Sequence, residues 1–294
     1  MGLGTVQFGM NYGVSNDRGR PDEAEIAAIL ADAQQAGIGY LDTAAGYGDA
    51  EVLIGRHLPP GNEFRIVTKI LPVPADEITS GHERVLLDSI EVSLSRLKVD
   101  RVYGLLVHDA ADFAKGGWQH LVAALHEARA RGWVQRIGVS IYRAEEIELF
   151  ADRFVPEILQ LPINALDRRL IATGQLERLK ARGVEVHARS VFLQGLLLMD
   201  PSTYPNFFDP VRAPVAALRA RWKAEGISPL AGCLAFVLQE ADIDTVLVGV
   251  NRRAELKEIE IALESLSGKV VDLGSVAPID PIYLDPSRWP RSGV

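Results

Sequence analysis

Three apolar runs each close on a polar side chain: Gly39-Tyr-Leu on Asp42, Ile66-Val-Thr on Lys69 and Gly104-Leu-Leu-Val on His108. A fourth group, Tyr47, stands shortly after Asp42 in the loop Thr43-Ala-Ala-Gly-Tyr-Gly. A lysine that ends a buried strand is costly unless a carboxylate pairs with it, and Asp42 is the nearby candidate. A phenol has an ordinary pKa of about 10 and is a poor acid at neutral pH. A neighbouring ammonium favours the phenolate and eases release of the proton. An imidazole on the other side can orient a carbonyl oxygen by donating a hydrogen bond as charge grows there. Together the four groups suit protonation of an alkoxide as a hydride arrives. Singly they have plainer explanations. A strand-end histidine or a loop tyrosine packs more often than it reacts, Asp42 before Thr43 could cap a helix, and Lys69 could be a solvated strand end. Their arrival in order at successive strand ends favours the chemistry.

Those ends belong to a longer alternation of short apolar runs with amphipathic stretches. The runs at 2–8, 39–42, 64–69, 102–108, 135–140, 157–160, 184–188 and 245–248 read as strands. Helical patterns cover 21–37, 49–57, 77–97, 117–131, 144–150, 168–182, the region 214–240 and 253–266. In the first, Ile26, Ile29, Leu30 and Ala33 share a face, and Asp22, Glu23 and Glu25 lie near its start, where the helix dipole favours acids. A βαβα order predicts a parallel sheet covered by helices, and eight strands close into a (β/α)8 TIM barrel. The rival is an open doubly wound sheet, which announces a dinucleotide by GxGxxG after a strand. Gly2-Leu-Gly and Gly46-Tyr-Gly each begin that pattern and neither completes it. The expectation is therefore one barrel domain over 1–294, with a C-terminal tail from about 274. In such a barrel chemistry gathers at the C-terminal strand ends, where Asp42, Lys69 and His108 stand.

Bulk properties bound the partners. The 294-residue chain carries a formal net charge of -8, which disfavours a general nucleic-acid or anionic-membrane role. Its one cysteine, Cys233, cannot form an intrachain disulfide, and a reducing cytoplasm is the simplest setting. Residues 1–10 lack a basic, apolar leader pattern, and no run of about 18 apolar residues exists to span a bilayer. The histidines lack ligand-like spacing, so no metal is expected. A monomer or weak homo-oligomer is expected.

Beyond those four residues lies a wider resemblance. Leu41-Asp-Thr-Ala-Ala-Gly-Tyr-Gly-Asp-Ala-Glu, Ile66-Val-Thr-Lys and Leu106-Val-His resemble the signatures of the aldo-keto reductase superfamily. Gly2-Leu-Gly-Thr-Val-Gln-Phe-Gly, Ile137-Gly-Val-Ser, Leu159-Gln-Leu-Pro-Ile-Asn and Val248-Gly-Val-Asn-Arg-Arg-Ala-Glu-Leu follow as further landmarks in the right order. The resemblance implies a catalytic tetrad of Asp42, Tyr47, Lys69 and His108. It also implies an extended NADPH across the barrel mouth, with NADH as the alternative. Gly4, Thr5 and Asp42 would line the nicotinamide ribose, and Ser140 and Gln160 would meet the carboxamide, with Asn164 just beyond. Arg189, Ser190, Phe192 and Gly195 would follow strand seven. Gly249, Asn251, Arg252 and Glu258 would form the adenosine end, with Arg253 close by.

Two departures from the pattern matter. Many relatives carry Tyr-Ser-Pro-Leu after strand seven, whereas this chain has Arg189-Ser-Val-Phe. The planar guanidinium of Arg189 is expected to stack on or flank the nicotinamide and favour its reduced form. Asn251 and Ile259 stand where relatives often place a cation and an asparagine, which weakens the preference for NADPH without reversing it. Phe8, Met10, Tyr12, the loop after Lys69, Trp118, Phe192, Tyr283 and Trp289 are candidate walls for a small carbonyl or sugar substrate. Two rival functions remain: a non-catalytic cofactor-binding regulator on the same barrel, and a Schiff-base lyase using Lys69.

Overall fold

The computed structural model describes residues 1–272, 274 and 276–290. Eight parallel strands pair in sequence order and close into a barrel. They are β1 (Gly2–Gly4), β2 (Tyr40–Asp42), β3 (Arg65–Ile70), β4 (Val102–Val107), β5 (Val134–Ser140), β6 (Ile158–Pro162), β7 (Glu185–Arg189) and β8 (Thr245–Gly249). Closure is made where β8 returns to β1, with Gly4 opposite Gly249 on one side and Asp42 on the other. This is a single-domain (β/α)8 barrel.

The outer helices follow from their patterns. α1 (Glu23–Gln35) starts at Asp22, whose carboxylate accepts the Glu25 N–H at 2.8 Å, satisfying one of the four N–H groups a helix start leaves open. It buries Ile26, Ile29, Leu30 and Ala33. The three larger side chains each contribute about 1.5–3 kcal/mol on burial. α2 (Ala50–His57) and α3 (Ser80–Leu97) touch so closely that a Cβ on Gly55 would lie 2.1 Å from the Arg96 carbonyl oxygen. α4 (Trp118–Ala130), α5 (Gln175–Ala181), α6 (Asp209–Ala224), α7 (Pro229–Leu238) and α8 (Arg253–Ser265) complete the ring.

The expected strand at 2–8 ends early. The chain turns into a short helix, Val6–Gly9, because Gly9 packs against the loop after β2; a Cβ there would sit 1.7 Å from the Tyr47 carbonyl oxygen. The expected helix at 168–182 is broken at Gly174, whose φ of 65° no helix accommodates. The stretch 144–149 is a 3-10 helix. The tail packs on the segment after β7: Trp289 meets Phe208 at 4.8 Å between ring centroids, and Tyr283 meets Phe207 at 5.2 Å. Its last residues, 291–294, lie outside the described residues.

Candidate active site

Asp42, Lys69 and His108 stand at the C-terminal ends of β2, β3 and β4, as their places in the sequence implied. Lys69 is fully buried. Its ammonium donates to Asp42 Oδ1 at 2.8 Å, Asp42 Oδ2 at 2.9 Å and the Thr43 carbonyl at 2.8 Å. Asp42 is pinned further by Gln160, whose Nε2 donates to Oδ1 at 2.6 Å. The loop bearing Tyr47 is tied to β3 by Thr43 N–H on the Val67 carbonyl and Ala45 N–H on that of Lys69. Lys69 Nζ lies 5.1 Å from the Tyr47 ring centroid, and the Tyr47 and His108 rings meet edge to face at 5.6 Å. The four groups form one cluster.

Its electrostatics differ from the expectation in one respect. Burial pushes the Tyr47 phenol above its ordinary value, Asp42 adds to that, and the opposing cation is Arg189. Burial lowers the Lys69 pKa while Asp42 raises it. His108 is pushed down to about 3 by burial, then by Lys69 and Arg189, so it is a neutral hydrogen-bonding imidazole at pH 7.

A cavity of about 890 Å³ opens over this cluster and runs across the mouth of the barrel. Of the residues expected to hold a dinucleotide, Gly4, Thr5, Asp42, Ser140, Arg189, Ser190, Phe192, Gly195, Gly249, Asn251, Arg252 and Glu258 line it, as do Tyr47 and His108. Gln160 is fully buried behind the wall with its amide on Asp42, so it orients the carboxylate. Asn164 is occupied by its own loop, accepting Leu166 and Asp167 N–H at 3.0 Å. Met10 and Tyr12 reach the cavity. Phe8, Trp118, Tyr283 and Trp289 are not among its walls: Phe8 is core and Trp118 lies under the Arg153 guanidinium. Arg189 stacks on Tyr142, 4.1 Å from the ring centroid, and donates to the Ile141 carbonyl at 2.9 Å.

Sequence reasoning missed Gln7, Glu25, Tyr142 and Glu255, all of which line the cavity. Glu25 and Glu255 carried a readable signal, each an acid in the first turn of a helix; Gln7 and Tyr142 carried none.

The cavity suits an extended dinucleotide. Its walls leave polar groups unanswered: Gln7 Oε1 is buried and has no hydrogen-bond partner in the protein. Glycines bring backbone to the surface, where a side chain on Gly249 would strike Gln7 and one on Gly195 would strike Ser15. Among the described residues no group of three or more His, Cys, Asp or Glu side chains is placed to hold a metal ion, and no helix is long and apolar enough to cross a membrane.

The fold and the site together define the class: a closed (β/α)8 barrel with a tyrosine, lysine, aspartate and histidine clustered at its C-terminal mouth beside a long cleft. The chain belongs to the Aldo/keto reductase family, whose model matches residues 1–272. It is similar to 6-dehydroglucose reductase from Novosphingobium aromaticivorans, at 27% identity over 88% of this chain and 86% of that protein. It is also similar to L-galactose dehydrogenase from Arabidopsis thaliana, at 27% identity over 92% and 88% of the two chains. The fold matches the glycerol dehydrogenase of Gluconobacter oxydans with a TM-score of 0.65, 20% identity and 94% of each chain covered.

Proposed function

We propose that this chain reduces an aldehyde or ketone, or oxidises the corresponding alcohol, using a nicotinamide dinucleotide held in the long cavity. When bound, the dinucleotide supplies or accepts the hydride. In the reductive direction the Tyr47 hydroxyl gives its proton to the carbonyl oxygen as charge builds there. Neutral His108 donates a hydrogen bond to the same oxygen and sets its direction. Asp42 keeps Lys69 charged and fixed, and Gln160 keeps Asp42 fixed. The observation that carries this reading is the cluster itself: a fully buried ammonium bound by Asp42, 5.1 Å from the Tyr47 ring centroid, with His108 at the ring's edge.

The same geometry counts against a Schiff-base lyase. Lys69 has no exposed surface and three acceptors around its ammonium, so no carbonyl carbon can reach it as an amine. A purely regulatory barrel would not require Asp42, Tyr47 and His108 to line the cavity around a buried Lys69. For the substrate, the names of the two relatives support a sugar or another polyhydroxylated carbonyl compound. The cavity wall, with Met10, Tyr12 and Phe192 beside polar groups, suits such a molecule.

The test is to follow absorbance of the reduced dinucleotide against a panel of aldehydes, ketones and aldoses, with wild type and Tyr47→Phe. Wild type should turn over at least one aldose or aldehyde. The variant should lose about 100-fold or more in kcat, the usual scale for removing a general acid, while binding dinucleotide as before. A fully active Tyr47→Phe enzyme would remove Tyr47 as the proton donor. NADPH is the sequence expectation for the donor, and that expectation turns on whether the amides and arginines at 251–253 stay open to a phosphate.

A further inference from the structure

We infer that this chain selects NADH over NADPH, because carboxylates of its own already hold the donors that a 2′-phosphate would need. The inference rests on the dinucleotide reading above and departs from the sequence expectation of NADPH. With the nicotinamide beside Tyr47, the adenosine falls at the other end of the cavity, formed by the start of α8 and by α1.

At that end two backbone donors are taken. The Asn251 N–H donates to Glu255 Oε2 at 2.7 Å, and the Arg253 N–H donates to Glu25 Oε1 at 2.7 Å. The cations are taken too. Arg253 turns outward and makes two bonds with Asp32, at 2.7 and 2.9 Å. Arg252 lies 3.4 Å from Glu255 Oε1, so an anion approaching Arg252 meets that carboxylate. Arg18 and Arg20 reach the same cavity, and each has a carboxylate within 4 Å, from Asp17 and Asp49.

The chemistry then favours a hydroxyl. A ribose with free 2′- and 3′-hydroxyls offers O–H donors, and Glu25, Glu255 and Glu258 on the cavity wall are acceptors. A 2′-phosphate brings close to two negative charges and no donor. It would have to displace Glu255 from both Asn251 and Arg252 and stand close to the carboxylates of Glu25 and Glu258. The contrast acts on binding, before any hydride moves.

Direct binding tests this. Dissociation constants for NADH, NADPH and NAD⁺ are measured by quenching of tryptophan fluorescence, and those for 5′-AMP and 2′,5′-ADP by calorimetry. Wild type should bind NADH at least about tenfold more tightly than NADPH, and 5′-AMP more tightly than 2′,5′-ADP, the size expected of one unfavourable charge contact. Glu255→Gln should bring the NADH to NADPH ratio to within about threefold, and Glu25→Gln should narrow it by a smaller factor. Equal or tighter NADPH binding by wild type overturns the inference and leaves the dinucleotide reading standing. So does an unchanged ratio in both variants. Absence of binding by every dinucleotide overturns both.

Discussion

Arg189 is the cation near Tyr47 that has no carboxylate within 4 Å among the described residues; its guanidinium rests on Tyr142 and the Ile141 carbonyl. With the nicotinamide placed as proposed, a fixed charge there would stand beside a ring that becomes cationic on oxidation and would penalise the oxidised form. Arg189→Met should therefore tighten NAD⁺ relative to NADH by roughly fivefold, the equivalent of about 1 kcal/mol of charge interaction. Separate titrations of the two forms read this, and an unchanged ratio removes Arg189 from the cofactor's redox balance. Lys69 makes the complementary case. Lys69→Met strands Asp42 as a buried, unpaired charge and should cost about 3–5 kcal/mol in urea unfolding, besides activity. At this scale the sequence was most informative about residue type at strand ends. Asp42, Lys69 and His108 announced themselves by closing apolar runs. Gln160 was readable as a strand residue, but its bond to Asp42 was not, because that depends on the direction of its amide; its Oε1 has no partner in the protein. Gln7 was hidden because its meaning depends on Gly249, far away in the chain and next to it only once β8 closes on β1.

Strands and helices act through where they touch. Eight strands were legible because each is a short apolar run, and their order fixed the neighbours. The early end of β1 was not, since Thr5 to Gly9 is as apolar as a strand and turns only because the Tyr47 loop arrives against it. Two glycines separate packing from chemistry. A methyl on Gly9 would sit 1.7 Å from the Tyr47 carbonyl, whereas one on Gly55 would sit 2.1 Å from the Arg96 carbonyl between α2 and α3. Gly9→Ala and Gly55→Ala should each cost about 1–3 kcal/mol, as overpacking does. Only Gly9→Ala should also lower kcat by about tenfold or more, because it moves the loop that aims the phenol. Equal loss of kcat per unit of lost stability in the two variants would show that the Tyr47 loop is not set by this contact.

The whole barrel carries buried ionisable groups at both mouths, and they give its stability a defined pH dependence. At the C-terminal mouth His108 titrates at about 3 in the fold, against an ordinary value of 6.5. At the N-terminal mouth Glu185 accepts from Tyr40 at 2.8 Å, Tyr103 at 2.6 Å and His187 at 2.8 Å. Burial pushes Glu185 up, and those three hydrogen bonds outweigh it and bring it to about 2. Between pH 6.5 and 3 the unfolded chain takes up a proton that folded His108 refuses, so stability falls as pH falls through that window. Glu185 acts in the same direction further down: its contribution is complete above about pH 4.5 and is lost toward pH 2. Each pH unit in either window changes stability by at most about 1.4 kcal/mol per group. Urea unfolding from pH 3.5 to 7.5 should therefore show stability rising with pH, steepest at the acid end. His108→Leu should flatten the slope from about pH 6.5 down to 3.5, leaving below pH 4.5 only the part that Glu185 supplies. Glu185→Gln should cost about 1.5–3 kcal/mol at neutral pH, where a charged acceptor is lost, and flatten the limb below pH 4.5. If His108→Leu kept the full slope above pH 5, the imidazole in the cluster would be titrating near its ordinary value. About one quarter of it would then be a cation at pH 7, where it is assigned a neutral, orienting hydrogen bond.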